Sequence, residues 1–137
     1  MAGRAIIVHS LDHALAALAA AAELGAPVTL LSPPGAAAYM GAGYFQALID
    51  EARAEYLRVP VASVLDCGEE PGLALAALRQ GLKAVRFSGP AQVADKIARI
   101  AGQMGAELVR EELPALDLLE VSEPRAACLA WLGEEPG

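Results

Sequence analysis

The sequence has no asparagine, two cysteines, two histidines and two lysines among its 137 residues, and 4% of it is aromatic. The missing asparagine carries no functional weight, but each of the other shortages excludes something. Cys67 and Cys128 are too few for a disulfide framework and lack metal-ligand spacing, so reduced thiols and no metal centre are expected. Lys83 and Lys96 are the only lysines and the arginines are scattered, giving a net charge of -7. A nucleic-acid partner is therefore not expected, because a phosphate-tracking face needs clustered basic residues. No apolar run approaches the roughly 18 residues of a membrane span. The longest, residues 14–22, is mostly alanine and ends at Glu23. Met1-Ala2-Gly3-Arg4 leads directly into an apolar segment without a secretion-signal pattern, so no membrane partner and a cytoplasmic location are expected.

Against these shortages, 55% of the chain is hydrophobic, enough for a buried core. Five short apolar runs alternate with helical patterns: Ala5-Ile6-Ile7-Val8, Val28-Thr29-Leu30-Leu31, Val61-Ala62-Ser63-Val64-Leu65, Ala84-Val85-Arg86-Phe87 and Glu107-Leu108-Val109-Arg110. The first three are almost continuously apolar, as strands covered on both faces should be. Between them, Leu11, Leu15, Leu18 and Ala22 form one helical stripe, Phe45, Leu48, Ile49, Ala52 and Tyr56 another, and Val93, Ile97, Ile100, Ala101 and Met104 a third. Pro71 and Pro90 suit first helical positions, and Gly25, Gly81 and Gly105 suit left-handed helix ends. Residues 116–121 read equally as a last short strand or a helical turn.

Strands joined by crossover helices connect right-handedly and place helices on both faces of a sheet. The expected fold is one α/β domain over residues 1–137. It is a three-layer, doubly wound, mainly parallel five-stranded sheet of flavodoxin/Rossmann-like class, with a half-barrel as the alternative.

Ligands of such sheets bind outside the carboxyl ends of the strands. That rule gathers His9-Ser10 with Asp12-His13, Ser32-Pro33-Pro34-Gly35, Asp66-Cys67-Gly68-Glu69 and Ser88-Gly89 at one edge. Catalytic candidates are His9 and Asp66 as general bases and Cys67 as a nucleophile; plain packing is the alternative for the cysteine. Candidates for ligand contact are Ser10, Ser32, Gly35, Ser88 and Gly89, with Tyr39 and Tyr44 on a glycine-flanked loop that could cover them. No cofactor is identifiable. His9 and His13 have a spacing that, outside a helix, is a weak metal signal. Trp131 and residues 116–121 offer either core packing or contacts to a second copy in a homo-oligomer.

The stretch Leu65-Asp66-Cys67-Gly68, followed by Ala76-Ala77-Leu78-Arg79-Gln80-Gly81-Leu82-Lys83-Ala84-Val85-Arg86-Phe87-Ser88-Gly89, looks like one βαβ unit of the phosphate-binding β/α-barrel enzymes. The resemblance implies that the loop after the second strand grips a phosphate. The Schiff-base lysine of barrel aldolases has no counterpart here, since Lys83 precedes its strand and Lys96 lies on a helix. Three readings follow. The first is a protein binding a small polar or anionic metabolite at the strand ends. The second is a small lyase or hydrolase using His9 or Asp66 as base with Cys67 nearby, and the third is a scaffold without catalysis.

Overall fold

The computed structural model describes residues 3–134; Met1, Ala2 and the last three residues lie outside it. In chain order the elements are β1 (Ala5–Ile7), α1 (Leu11–Leu24), β2 (Val28–Leu31), a 3-10 turn (Ala36–Ala38), α2 (Ala42–Glu55), β3 (Val61–Asp66), α3 (Pro71–Arg79), β4 (Ala84–Arg86), α4 (Ala91–Gln103), β5 (Glu107–Val109), β6 (Ala115–Asp117) and α5 (Pro124–Gly133). The α/β class expected from the sequence holds, with parallel strands and helices on both sides. The strand count is corrected from five to six, because residues 115–117 form β6. Three residues that bury only moderately carry too little alternation to be told from a turn. No helix among the described residues is long and apolar enough to cross a membrane.

The chain forms two compact units. Among the described residues, one comprises residues 3–31, 48–62 and 113–134; the other comprises residues 32–47 and 63–112.

In the first unit β1 is the central strand. It pairs in parallel with β2, Ala5 opposite Thr29 and Ile7 opposite Leu31. On its other side it pairs with β6, Ala5 opposite Ala115 and Ile7 opposite Asp117. Ile6, Val8, Val28 and Leu30 are buried, the pattern of strands covered on both faces. α1 is capped at its start by Ser10, whose Oγ accepts from the His13 N–H, and ends on left-handed Gly25. Its buried face departs from the expected stripe. Leu18 is buried together with Ala14, Ala17, Ala20 and Ala21, while Leu11 and Leu15 are half-buried and Ala22 is exposed. α1 packs against α5 and β2, and small side chains let neighbouring elements approach closely, so alanines take the interior. Trp131 of α5 seats against β1: its Nε1 donates to the Ala5 carbonyl at 2.9 Å. The Arg4 guanidinium lies 3.5 Å from the centre of its ring and pairs with Glu134.

In the second unit β3, β4 and β5 run parallel in that order, with Leu65 opposite Val85, Asp66 opposite Arg86, and Arg86 opposite Val109. Pro71 opens α3 as expected. Pro90 instead occupies the cap position of α4 with extended ψ, so α4 begins at Ala91. The interior of α4 is Ala94, Ile97 and Ala101; Ile100 and Met104, expected inside, are exposed. Gly81 and Gly105 adopt the left-handed backbone that ends α3 and α4. Gly89 is fixed by its neighbour, since a Cβ there would collide with the ring of the buried Phe87.

Candidate functional site

The sequence candidates resolve into two clusters, one in each unit.

The first cluster is built where β1 turns into α1. Ser10 satisfies part of the first turn of the helix, whose leading N–H groups have no partner within it. His13 N–H donates to Ser10 Oγ at 3.2 Å, and the His13 ring reaches back so that its Nδ1 accepts from the His9 backbone N–H at 3.0 Å. This is a capping box shifted by one residue, with an imidazole in the place usually held by glutamate. Because Nδ1 accepts, the ring proton of neutral His13 sits on Nε2. Partial burial and the neighbouring His9 push the pKa of His13 below its ordinary value, against the opposite pull of Asp117 and Asp12.

His9 points the other way. Its Nε2 lies 2.7 Å from Oδ1 of Asp117, the last residue of β6. The parallel register that sets Ile7 opposite Asp117, with Leu118 N–H bonded to the Ile7 carbonyl, delivers the carboxylate to that point. Asp117 Oδ1 also accepts from the Leu119 N–H at 2.9 Å. Partial burial raises the Asp117 pKa, but the Leu119 N–H and His9 together outweigh it and hold the carboxyl below its ordinary value. With Nε2 committed to Asp117, the Nδ1 lone pair of neutral His9 is the basic position. The His9 and His13 rings meet edge to face, with centroids 5.7 Å apart. Asp117 is the partner of His9 that sequence reasoning misses; the signal for it lay in the ambiguous 116–121 segment.

The second cluster surrounds the end of β3. Asp66 is buried at 6% exposure and each of its oxygens is engaged. Oδ1 accepts from the Gly35 N–H at 3.1 Å and the Gly68 N–H at 2.8 Å; Oδ2 accepts from Arg86 at 3.2 Å. Both glycines have left-handed backbone, φ 68° and 56°, which turns their N–H groups onto the carboxylate. Ser32 is buried and doubly bonded: its Oγ accepts from the Asp66 N–H at 2.8 Å and donates to the Pro33 carbonyl. Arg86 also donates from Nε to the Glu111 carbonyl. Arg86 has no role in the sequence reading, although its alternation in the β4 run and the parallel offset from Asp66 carry the signal.

Cys67 is buried with its Sγ against the Leu65 carbonyl. Burial, and secondarily Asp66, push its thiol up to about 12, so it is protonated at neutral pH. Ser88 is exposed; its N–H bonds the Gly68 carbonyl. Tyr39 and Tyr44 are exposed at 69% and 58%, but only Tyr39 lies on the loop: Tyr44, expected there, sits in the first turn of α2 beside buried Phe45. An open groove of about 200 Å³ in the first unit is lined by Leu11, Leu15, Glu51, Glu55 and Tyr56, and includes none of the candidate residues. Among the described residues no three histidine, cysteine or carboxylate side chains gather as a metal site requires.

Comparison with known proteins adds a family relationship. Residues 1–99 match the family model described as fructose-bisphosphate aldolase class-II. The chain is 28% identical to the fructose-bisphosphate aldolase class 2 of Synechocystis sp., over 87% of this chain and 37% of that protein. It is 30% identical to the fructose-bisphosphate aldolase of Nostoc commune, over 91% of this chain and 35% of that protein. The chain thus spans little more than a third of the curated relatives it matches. The fold is similar to that of a crystal structure from Coccidioides immitis assigned as a fructose-1,6-biphosphate aldolase. The TM-score is 0.63 at 19% identity, covering 78% of this chain and 44% of the other.

Proposed function

Because this chain belongs to the class II fructose-bisphosphate aldolase family, we propose that it takes a small phosphorylated sugar and that His9, held by Asp117, is its proton-transfer group. The observation that carries this reading is the 2.7 Å contact between His9 Nε2 and Asp117 Oδ1. A histidine whose far nitrogen is fixed by a carboxylate has its tautomer and orientation set, the arrangement general bases use. The location supports it as well. His9 and Asp117 follow or end adjacent parallel strands at their carboxyl ends, and the chain leaves β1 toward β2 on one side and returns as β6 on the other, the setting in which α/β sheets bind ligands.

Asp66 is the less available of the two candidates. Its oxygens are taken by two backbone N–H groups and an arginine, so its role is to fix the loops at Gly35 and Gly68. Ser10 and Ser32 likewise serve the backbone, and Cys67 packs. Gly35, Gly89, Ser88, Tyr39 and Tyr44 remain the contacts proposed for the ligand in the second unit.

Cleaving a carbon–carbon bond beside a carbonyl leaves an electron pair that needs an iminium on a lysine or a divalent cation to hold it. Neither lysine follows a strand, Lys83 preceding β4 and Lys96 lying in α4. The described donors do not fit a cation either: among the described residues no three histidine, cysteine or carboxylate side chains gather at one place. That observation favours a second reading, a sugar-phosphate binder without cleavage. Thermal-shift titration with fructose 1,6-bisphosphate, fructose and inorganic phosphate tests the binding that both readings require. A rise in Tm that is largest with the bisphosphate is expected; no rise with any phosphorylated sugar overturns the proposal.

A further inference from the structure

We infer that His13 is a neutral hydrogen-bond donor to a substrate carbonyl, and that with His9 it forms a metal-free proton-exchange pair acting on the carbon next to that carbonyl. The inference rests on the reading of His9 as the proton-transfer group and extends it to the missing electron sink.

Three observations define the pair. The His9 N–H holds His13 Nδ1 at 3.0 Å, which leaves Nε2–H as a free donor. Asp117 holds His9 Nε2 at 2.7 Å, which leaves Nδ1 as a free acceptor. The rings stand nearly perpendicular, at 87°, with centroids 5.7 Å apart. That spacing puts the two rings within the reach of one small molecule. One ring therefore offers a lone pair and its neighbour offers a proton, both fixed by bonds to the protein before any ligand arrives.

The charge state of His13 follows from its surroundings. It occupies the first turn of α1, where the helix dipole disfavours a cation. Partial burial and His9 act in the same direction, while Asp117 and Asp12 act against it. A neutral imidazole at a helix N-terminus polarising a carbonyl is an established solution for enolisation in a triosephosphate enzyme. The geometry here is a candidate for the same chemistry on a different framework.

The step balances without a co-reactant. His9 Nδ1 takes the proton from the carbon beside the carbonyl. The C–H electron pair becomes the new C=C bond, and the carbonyl π pair moves to oxygen, which accepts a hydrogen bond from His13 Nε2–H. Returning a solvent-derived proton from His9 to carbon regenerates the ketone. No carbon–carbon bond breaks and nothing is oxidised.

The probe is dihydroxyacetone phosphate in D₂O with excess EDTA, following loss of the carbon-bound proton signal by ¹H NMR. Protein-dependent exchange is expected. His9→Ala should slow it by about 10²–10⁴-fold, the range for general bases. His13→Gln, which keeps an acceptor for the His9 N–H, should slow it by about 10²–10³-fold, as for removal of one oxyanion donor. In both variants the thermal shift with the probe should persist. A ¹⁵N spectrum of the wild-type ring should report His13 as the Nε2–H tautomer at neutral pH, and its Nε2–H proton should shift when the probe binds; a charged ring, or an Nε2–H untouched by the probe, overturns the donor role. If the probe binds without exchange, or exchange appears only when a divalent cation replaces EDTA, the pair is overturned while the sugar-phosphate reading stands. If the probe and the bisphosphate both fail to bind, that underlying reading falls and this inference with it.

Discussion

Replacing Asp66 with alanine would remove the one side chain that ties two glycine loops and an arginine to the end of β3. Its carboxylate accepts from Gly35, Gly68 and Arg86 at 3.1, 2.8 and 3.2 Å. A hydrogen bond to a charged acceptor contributes about 1.5–3 kcal/mol, and breaking a buried ion pair costs about 3–5 kcal/mol because the survivor is left uncompensated. Arg86 is 16% exposed, close to buried, whereas the glycine amides are half-buried and recover part of their loss from water. Since the three bonds share one carboxylate they do not add, and a total of about 3–5 kcal/mol is expected for Asp66→Ala. Asp66→Asn keeps an oxygen for the two glycines but loses the charge facing Arg86, so it should cost roughly half as much, about 1.5–2.5 kcal/mol. Adding Arg86→Met to Asp66→Ala should restore part of the loss, since the stranded guanidinium is gone. Urea unfolding followed by far-UV circular dichroism measures these differences, with an unchanged m-value confirming that stability alone has moved. At about 3–5 °C per kcal/mol for a chain of this size, Asp66→Ala should lower Tm by about 10–20 °C. A loss below about 1 kcal/mol, or equal losses for Ala and Asn, would falsify the role of Asp66 as the tie of that cluster.

Two further outcomes follow from the thiols and the histidines. Cys67 and Cys128, pushed up to about 12 and about 11 by burial first, should react with iodoacetamide near neutral pH roughly 10³-fold and roughly 10²-fold more slowly, respectively, in the native protein than in urea; native rates within a factor of ten of the unfolded ones contradict the burial described. His13 and Asp117 both have lowered pKa values in the folded state, so each favours folding when deprotonated. Their contributions are fully present above the unfolded values and are lost on acidification, first as pH falls below 6.5 toward the lowered His13 value, then as it falls below 3.8 toward that of Asp117. Tm should therefore decline across the first window in the wild type and decline less in His13→Gln; a wild-type Tm that rises there is incompatible with a depressed His13.

Most of the framework is legible because buried parallel strands are written as uninterrupted apolar runs, and the five segments read from the sequence each contain a strand. Helix interiors are harder to read where alanine dominates. In α1 the larger Leu11 and Leu15 attract the pattern, yet Ala14, Ala17, Ala20 and Ala21 are the residues inside, because close helix contact selects small side chains. In α4 and at its cap, Ile100 and Met104 have the right spacing but are exposed. Strand-end geometry brings out His9 and Asp66 as candidates. What they touch is another matter: Asp117 is 108 positions from His9 and Arg86 is 20 from Asp66. Such pairings depend on register between strands, which no local pattern in one chain specifies.

The seat of α5 gives the protein a natural reporter. Trp131, the sole indole of the chain, is bonded to the first carbonyl of β1 and overlain by a guanidinium, and β1 is the strand that presents His9. Intrinsic fluorescence therefore reads the anchorage of that strand directly. A spectroscopist could follow loosening around the imidazole pair during titration or ligand addition without introducing any label.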